Sequence, residues 1–294
     1  MRNRNLRQNR RYLVYAGMVV VGFLVMNSFC LAGLDQPKSY HCVTQFENGS
    51  INWSTGNVFG IGKASPEGKS ELSHQFVLGS ARADANRQII EILKKIKISN
   101  TLTVGEYASK NDVILAGMEK TARDAAISKQ YYTSALSVEI MIETSMFGGF
   151  LQLVLPEEIR QISKISPEIR KKNSNPVGEN LYTGLIIDAR GLGFEPVLNP
   201  LIVSEQGHDI YSSVFISREF AVQNGVCKYL CSMDQALKDK RIGNHPLVFK
   251  GLRKEGKPTT AIVISISDYR LFEKTTERHA FLKECRVIIV QDDH

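Results

Sequence analysis

Residues 182–196 read YTGLIIDARGLGFEP: an apolar run from Leu185 to Ile187, an acid at Asp188, and a Gly191-Leu192-Gly193 turn. A strand that delivers a charged residue to a glycine-rich turn is a common way to build a phosphate-binding or hydrolytic site. Its surroundings argue otherwise. Phosphate binding needs a helix to begin at the turn, so that free amides and the helix dipole face the anion. Here Phe194-Glu195-Pro196 follows, and then a further apolar run, Val197 to Ser204, that reads as a strand. Gly191 and Gly193 supply backbone angles that other residues resist. Asp188 and Arg190 are placed to pair locally or to contact a partner. The stretch therefore reads as a strand opening a second domain, with Asp188 and Arg190 as candidate interaction residues and no assigned catalytic residue.

A metal-dependent alternative rests on Leu185-Ile186-Ile187-Asp188-Ala189-Arg190-Gly191, which is similar to the opening of zinc-dependent cell-wall amidases. Those enzymes place a histidine in the glycine turn. Arg190 or a glycine stands there in this chain, and a guanidinium cannot coordinate zinc. The six histidines, His41, His74, His208, His245, His279 and His294, have no ligand-like spacing. No metal and no cofactor is expected. A divergent amidase-like hydrolase with a site near Asp188 is the competing function.

Downstream, Ser217 to Val222 and Ser232 or Asp234 to Lys240 read as helices, Pro246 to Arg253 and Thr260 to Ser265 as strands. A helix near Ser267 to Lys283 and a final strand from Cys285 to Val290 complete the second domain, 181–294. Upstream, residues 157–180 are charged and broken by Pro167 and Pro176, and are read as a linker.

The segment 33–156 reads as a first domain. Ile51 to Ala64 is an interrupted strand whose Gly60 and Gly62 mark bends or close backbone approach. From about Ser73 to Lys97 the sequence is helical, with Ala81, Ala85, Ile89, Leu93 and Ile96 forming one buried stripe. The small alanines suit a helix lying close on a sheet. Asn111 or Asp112 caps a second helix whose inner face is Ile114, Met118, Thr121, Ala122 and Ala125, with Tyr131 and Tyr132 near its end. Leu136 to Glu143 alternates as a strand, and Phe150 to Leu155 is expected to pair with it as a hairpin. The fold expected is α+β: two mixed domains, each with helices packed on a largely antiparallel sheet.

The N-terminus reads as an address for export. Arg2, Arg4, Arg7, Arg10 and Arg11 precede the first acid, Asp35, and Leu13 to Met26 is charge-free and mostly apolar. Small residues at Ala32-Gly33 complete the pattern of a secretory signal over residues 1–32. The 14-residue run falls short of the roughly 20 that a spanning helix needs. Two alternatives stay open: an uncleaved anchor, hence membrane association, and lipidation at Cys30, against which Phe29 and Asn27 argue. Without the five arginines the charge falls from +7 to about +2, because 32 basic residues then face 30 acidic ones. Nucleic acid is excluded as a partner on that ground.

Cys42, Cys227, Cys231 and Cys285 remain in the mature chain. In an oxidising compartment they can form disulfides, with three pairings open. Cys227 and Cys231, four apart, are one helical turn from each other and are the expected disulfide. That pairing also disfavours Cys227 as a nucleophile.

Gly60-Ile61-Gly62, a polar loop, and then Ala81-Arg82-Ala83-Asp84-Ala85-Asn86-Arg87 leading into an amphipathic helix resembles the Helicobacter-type Lpp surface-lipoprotein family. Its relatives include the flagellar outer-membrane lipoprotein FlgP, and the resemblance covers roughly residues 50–155. It implies a periplasmic or outer-membrane-associated protein with envelope or flagellar partners and no catalytic set. The poor lipid-attachment signal at Cys30 departs from the family. The expected function is thus that of a non-enzymatic cell-envelope interaction or assembly component.

Overall fold

The computed structural model describes residues 42–66, 74–133, 137–159, 182–256, 261–275 and 278–293. The expected signal over 1–32 and nearly all of the linker lie outside these residues. Among them, no helix is long and apolar enough to cross a membrane. The fold is α+β.

The first sheet holds β1 (Val43–Phe46), β2 (Gly49–Asn52), β3 (Asn57–Ala64), β6 (Ala126–Tyr132) and β7 (Val138–Ser145). Its order is β1-β2-β3-β7-β6, and every pairing is antiparallel. Helix α1 (His74–Lys95) lies across it, burying Ala81, Ala85, Ile89 and Leu93 completely. The approach requires glycine. A Cβ on Gly62 would stand 2.1 Å from the Ala81 carbonyl oxygen and 2.3 Å from the Ala85 nitrogen. Glycines on the strand and alanines on the helix thus interlock as the sequence pattern suggests.

A small hairpin of β4 (Lys97–Ser99) and β5 (Leu102–Thr103) leads to α2 (Val104–Ala108). Helix α3 (Asp112–Arg123) follows, capped by the Asn111 side chain, which accepts from the Val113 amide at 3.0 Å. Ile114, Met118 and Ala122 are its buried face.

Two expectations fail here. Tyr131 and Tyr132 do not end a helix, because α3 stops at Asp124 and Ala126–Tyr132 forms β6, paired to β7. Its isoleucine and paired tyrosines fit a pleated surface better than a helix. Phe150 to Leu155 is not a strand either: Gly149–Val154 forms α4, burying Phe150, Leu151 and Val154 on one side. A short apolar run does not distinguish a strand from a buried helical turn.

The second sheet has the order β10-β9-β13-β12-β8-β14-β11. Its strands are β8 (Gly184–Asp188), β9 (Ile202–Ser204), β10 (Asp209–Tyr211), β11 (Lys228–Leu230), β12 (Pro246–Glu255), β13 (Ala261–Ile264) and β14 (Val287–Val290). β12, β8, β14 and β11 run parallel, as do β13 and β9; the other two pairings are antiparallel. This sheet is therefore mixed and more parallel than expected. The uninterrupted burial of Gly184 to Ile187 is the signature of a strand covered on both faces. Ile186, Leu230, Ile288 and Val290 pack with Ala236 of α6 (Met233–Lys238). Leu185, Ile187, Val287 and Ile289 join the opposite core with Ala221 of α5 (Arg218–Asn224), Phe272 of α7 (Ile266–Glu273) and Phe281 of α8 (Arg278–Lys283).

That opposite core is continuous with the core of the first sheet. The described residues together form one compact unit. Backbone and side-chain bonds stitch the sheets: Leu198 N–H donates to the Lys97 carbonyl at 2.8 Å, and Gly148 N–H to the Val222 carbonyl at 2.7 Å. The Ser54 hydroxyl donates to the Tyr229 carbonyl at 3.0 Å, and Trp53 meets the Tyr229 ring edge-on at 5.9 Å. Among the described residues the two large sheets therefore share one interior.

Candidate functional site

Asp188 is the last residue of β8, and its neighbours in register are Lys250 on β12 and Val290 on β14. It stands at the carboxyl ends of the parallel strands, where open α/β sheets tend to bind ligands. The local chemistry closes the site. Arg190 donates to both carboxylate oxygens, from Nε at 2.8 Å and from Nη2 at 2.9 Å, and its backbone N–H donates at 3.2 Å. Lys250 Nζ lies 3.2 Å from Oδ2 and also donates to the Arg190 carbonyl at 3.0 Å. The hydrogen bonds from Arg190 outweigh burial and lower the Asp188 pKa to about 2. A carboxylate so acidic and so fully engaged is a poor general base and holds no proton to donate at neutral pH.

The glycine turn is likewise occupied. Gly191, at φ +81°, donates its N–H to both oxygens of Asp292, at 3.0 and 2.9 Å. Lys254 Nζ donates to the Gly193 carbonyl at 2.8 Å. The Gly191 amide, which could have begun an anion nest, is already bound to a carboxylate of the same chain. Asp188 and Arg190 are therefore brought together as a bidentate pair, with the Arg190 side chain 44% exposed and Asp188 at 14%. What this arrangement offers chemically is a rigid, charged surface loop.

Among the described residues, no group of three His, Cys, Asp or Glu side chains is placed to hold a metal ion. His208 stacks on Tyr269 and His245 on Tyr182, at ring separations of 4.9 and 4.8 Å.

The cysteines correct the expected pairing. Cys231 is bonded to Cys42, not to Cys227. Cys227 and Cys231 flank β11, so the chain between them is extended. Four residues of strand span roughly 13 Å, about twice the Cα separation that a disulfide allows. A helical turn would have brought them together; a strand holds them apart. Cys227 and Cys285 are free and buried. Burial pushes the Cys227 thiol up to about 12 and the Cys285 thiol to about 11, which leaves neither as a thiolate nucleophile.

A feature that sequence reasoning missed is a cleft of about 620 Å³ between the sheets. The Trp53–Gly56 turn, Phe147, Phe220 and Val226 face it, together with Lys228 and Arg241. Phe147 is gripped by two glycines. A Cβ on Gly56 would stand 2.4 Å from its ring, and one on Gly225 would stand 2.9 Å away. Arg241 spends its guanidinium on the carbonyls of Asn224, Gly225 and Cys285 at 2.6–2.7 Å, and Lys228 pairs with Asp239 at 2.5 Å. The cleft's principal charges thus hold the fold together. Its sequence signal was faint: isolated glycines at 56 and 225, far apart in the chain.

Residues 184–293 match a family model described as the second domain of Treponema pallidum Tp0624. The match covers the second sheet and its helices and leaves the first sheet outside. No curated protein matches the chain.

Proposed function

We propose that this chain is an exported, non-enzymatic component of a bacterial cell envelope that works through interaction and assembly. The observation that carries the reading is the Cys42–Cys231 disulfide, which joins the two sheets across 189 residues of sequence. Such a bond persists in a periplasm or beyond it and is rare in a reducing cytosol. It accords with the basic and apolar N-terminal pattern, which supplies the route of export.

The chemistry of the candidate site supports the non-enzymatic part. Asp188 is neutralised by Arg190 and Lys250, the Gly191 amide is held by Asp292, and the free thiols are buried and protonated. Similarity to a second domain fits a module that follows another module in its chain. The resemblance over residues 50–155 directs the choice of partners to outer-membrane and flagellar proteins.

The test is capture of partners from envelope fractions with the full chain, since the shared core forbids treating residues 33–155 as a removable part. Specific recovery of an envelope or flagellar protein, reduced by Arg190→Glu in a protein that stays folded, is expected. Recovery of the uncleaved chain in the cytosolic fraction with all five thiols free would overturn the reading. So would hydrolysis of cell-wall material that disappears in Asp188→Ala.

A further inference from the structure

Strand β6 is the outer strand of the first sheet, paired on one side to β7 and, among the described residues, to no strand on the other. All seven of its residues are exposed. That is unusual for a strand beside one as buried as β7, where Val138, Ile140 and Ile142 are at most 1% exposed. Ile127, Tyr131 and Tyr132 expose 43%, 54% and 50% of their surface. An open edge carrying large apolar side chains is a template for another strand.

Resting on the assembly reading above, the geometry points to a second copy of this chain as the occupant. The two β6 strands would pair antiparallel about a two-fold axis through Gln130, to make one ten-stranded sheet. The register follows from side-chain pairing. A two-fold axis perpendicular to the sheet keeps both faces in common only if it passes through a residue. An axis at Lys129 sets two ammonium groups opposite each other. An axis at Gln130 sets Lys129 of each copy opposite Tyr131 of the other, a cation beside an aromatic face. Within each copy Tyr131 already stands opposite Glu139, which pairs with Lys63 at 2.9 Å. The row across the joined sheet then runs lysine, glutamate, tyrosine, lysine, with no like charges adjacent. The register shift between Ile127 and Lys129 interrupts the ladder on its other side and confines pairing to the segment around Gln130.

The experiment uses single cysteines in the full chain carrying Cys30→Ser; among the described residues the two native free thiols, Cys227 and Cys285, are buried. Opposed residues in such a pair have Cα atoms about 4.5–5.5 Å apart, within the range of a disulfide. Gln130→Cys is expected to oxidise to a covalent dimer. Lys129→Cys and Tyr131→Cys are expected to cross-link with each other when mixed and poorly with themselves. Tyr131→Lys, which places like charges opposite, is expected to weaken dimerisation measured by light scattering about tenfold. A monomeric mass at every concentration would overturn the inference, as would Tyr131→Cys cross-linking to itself faster than Gln130→Cys does. Either result would leave partner capture from the envelope intact, so the two readings fail separately.

Discussion

Cys42 is bonded to Cys231, so the residue preceding the first strand is covalently tied to the end of β11 in the other sheet. The bond lies near the contacts of Ser54 and Trp53 with Tyr229, and the Cys42 N–H donates to the Ser54 hydroxyl oxygen at 3.0 Å. Covalent and packed connections therefore converge at one junction.

Replacing Cys231 with Ser is expected to lower the unfolding free energy by about 2–5 kcal/mol, because the long loop is no longer closed in the unfolded chain. Urea unfolding with and without reductant checks this. Wild-type protein should respond to reductant, and the variant should not.

Asp188 makes stability depend on acid. Its folded pKa, about 2, lies below the unfolded value of ~3.9. Its contribution is therefore complete above pH 4 and is lost as the pH falls toward 2. Allowing for solvent screening, it amounts to about 1–2 kcal/mol. Asp188→Asn should lose most of that stability at pH 7, and its curve should be flatter than wild type between pH 4 and 2.

Gly62 is a point of no tolerance. Gly62→Val drives a branched side chain into the Ala81 carbonyl and the backbone at Ala85, so α1 must lift from the sheet. A loss of about 3 kcal/mol or more is expected, read as a shifted urea midpoint. The same substitution at Gly79, whose Cβ would meet nothing within 4 Å, should cost about 1 kcal/mol or less.

Arg218 secures α4 and the turn after it by donating to the carbonyls of Gln152 at 2.7 Å and Pro156 at 2.9 Å. Arg218→Met removes these charged donors and should cost about 2–3 kcal/mol. Amide exchange in residues 149–159 should accelerate more than elsewhere.

What could be read in the sequence was what local chemistry alone dictates. The α1 stripe, the Asn111 cap, the Gly62–Ala81 approach and the strand ending at Asp188 were all legible, since each depends on near neighbours or on a simple period. The fates of Phe150 and Tyr131 were not, because short apolar stretches take their state from what they pack against. The disulfide was misread for the same reason: the distance from Cys227 to Cys231 depends on whether the backbone between them is helix or strand. At the candidate site, Arg190 beside Asp188 could be anticipated from their spacing, but Asp292 and Lys250, which complete the closure, arrive from distant strands.

The most direct measurement is non-reducing peptide mapping of the full-length gene product recovered from cells. A mature chain beginning at Gly33, with the peptide of Cys42 linked to that of Cys231 and with Cys227 and Cys285 free, is the expected result. Five free thiols, Cys30 included, or a bond between Cys227 and Cys231, in a chain that retains residues 1–32 would contradict an exported body locked across its two sheets.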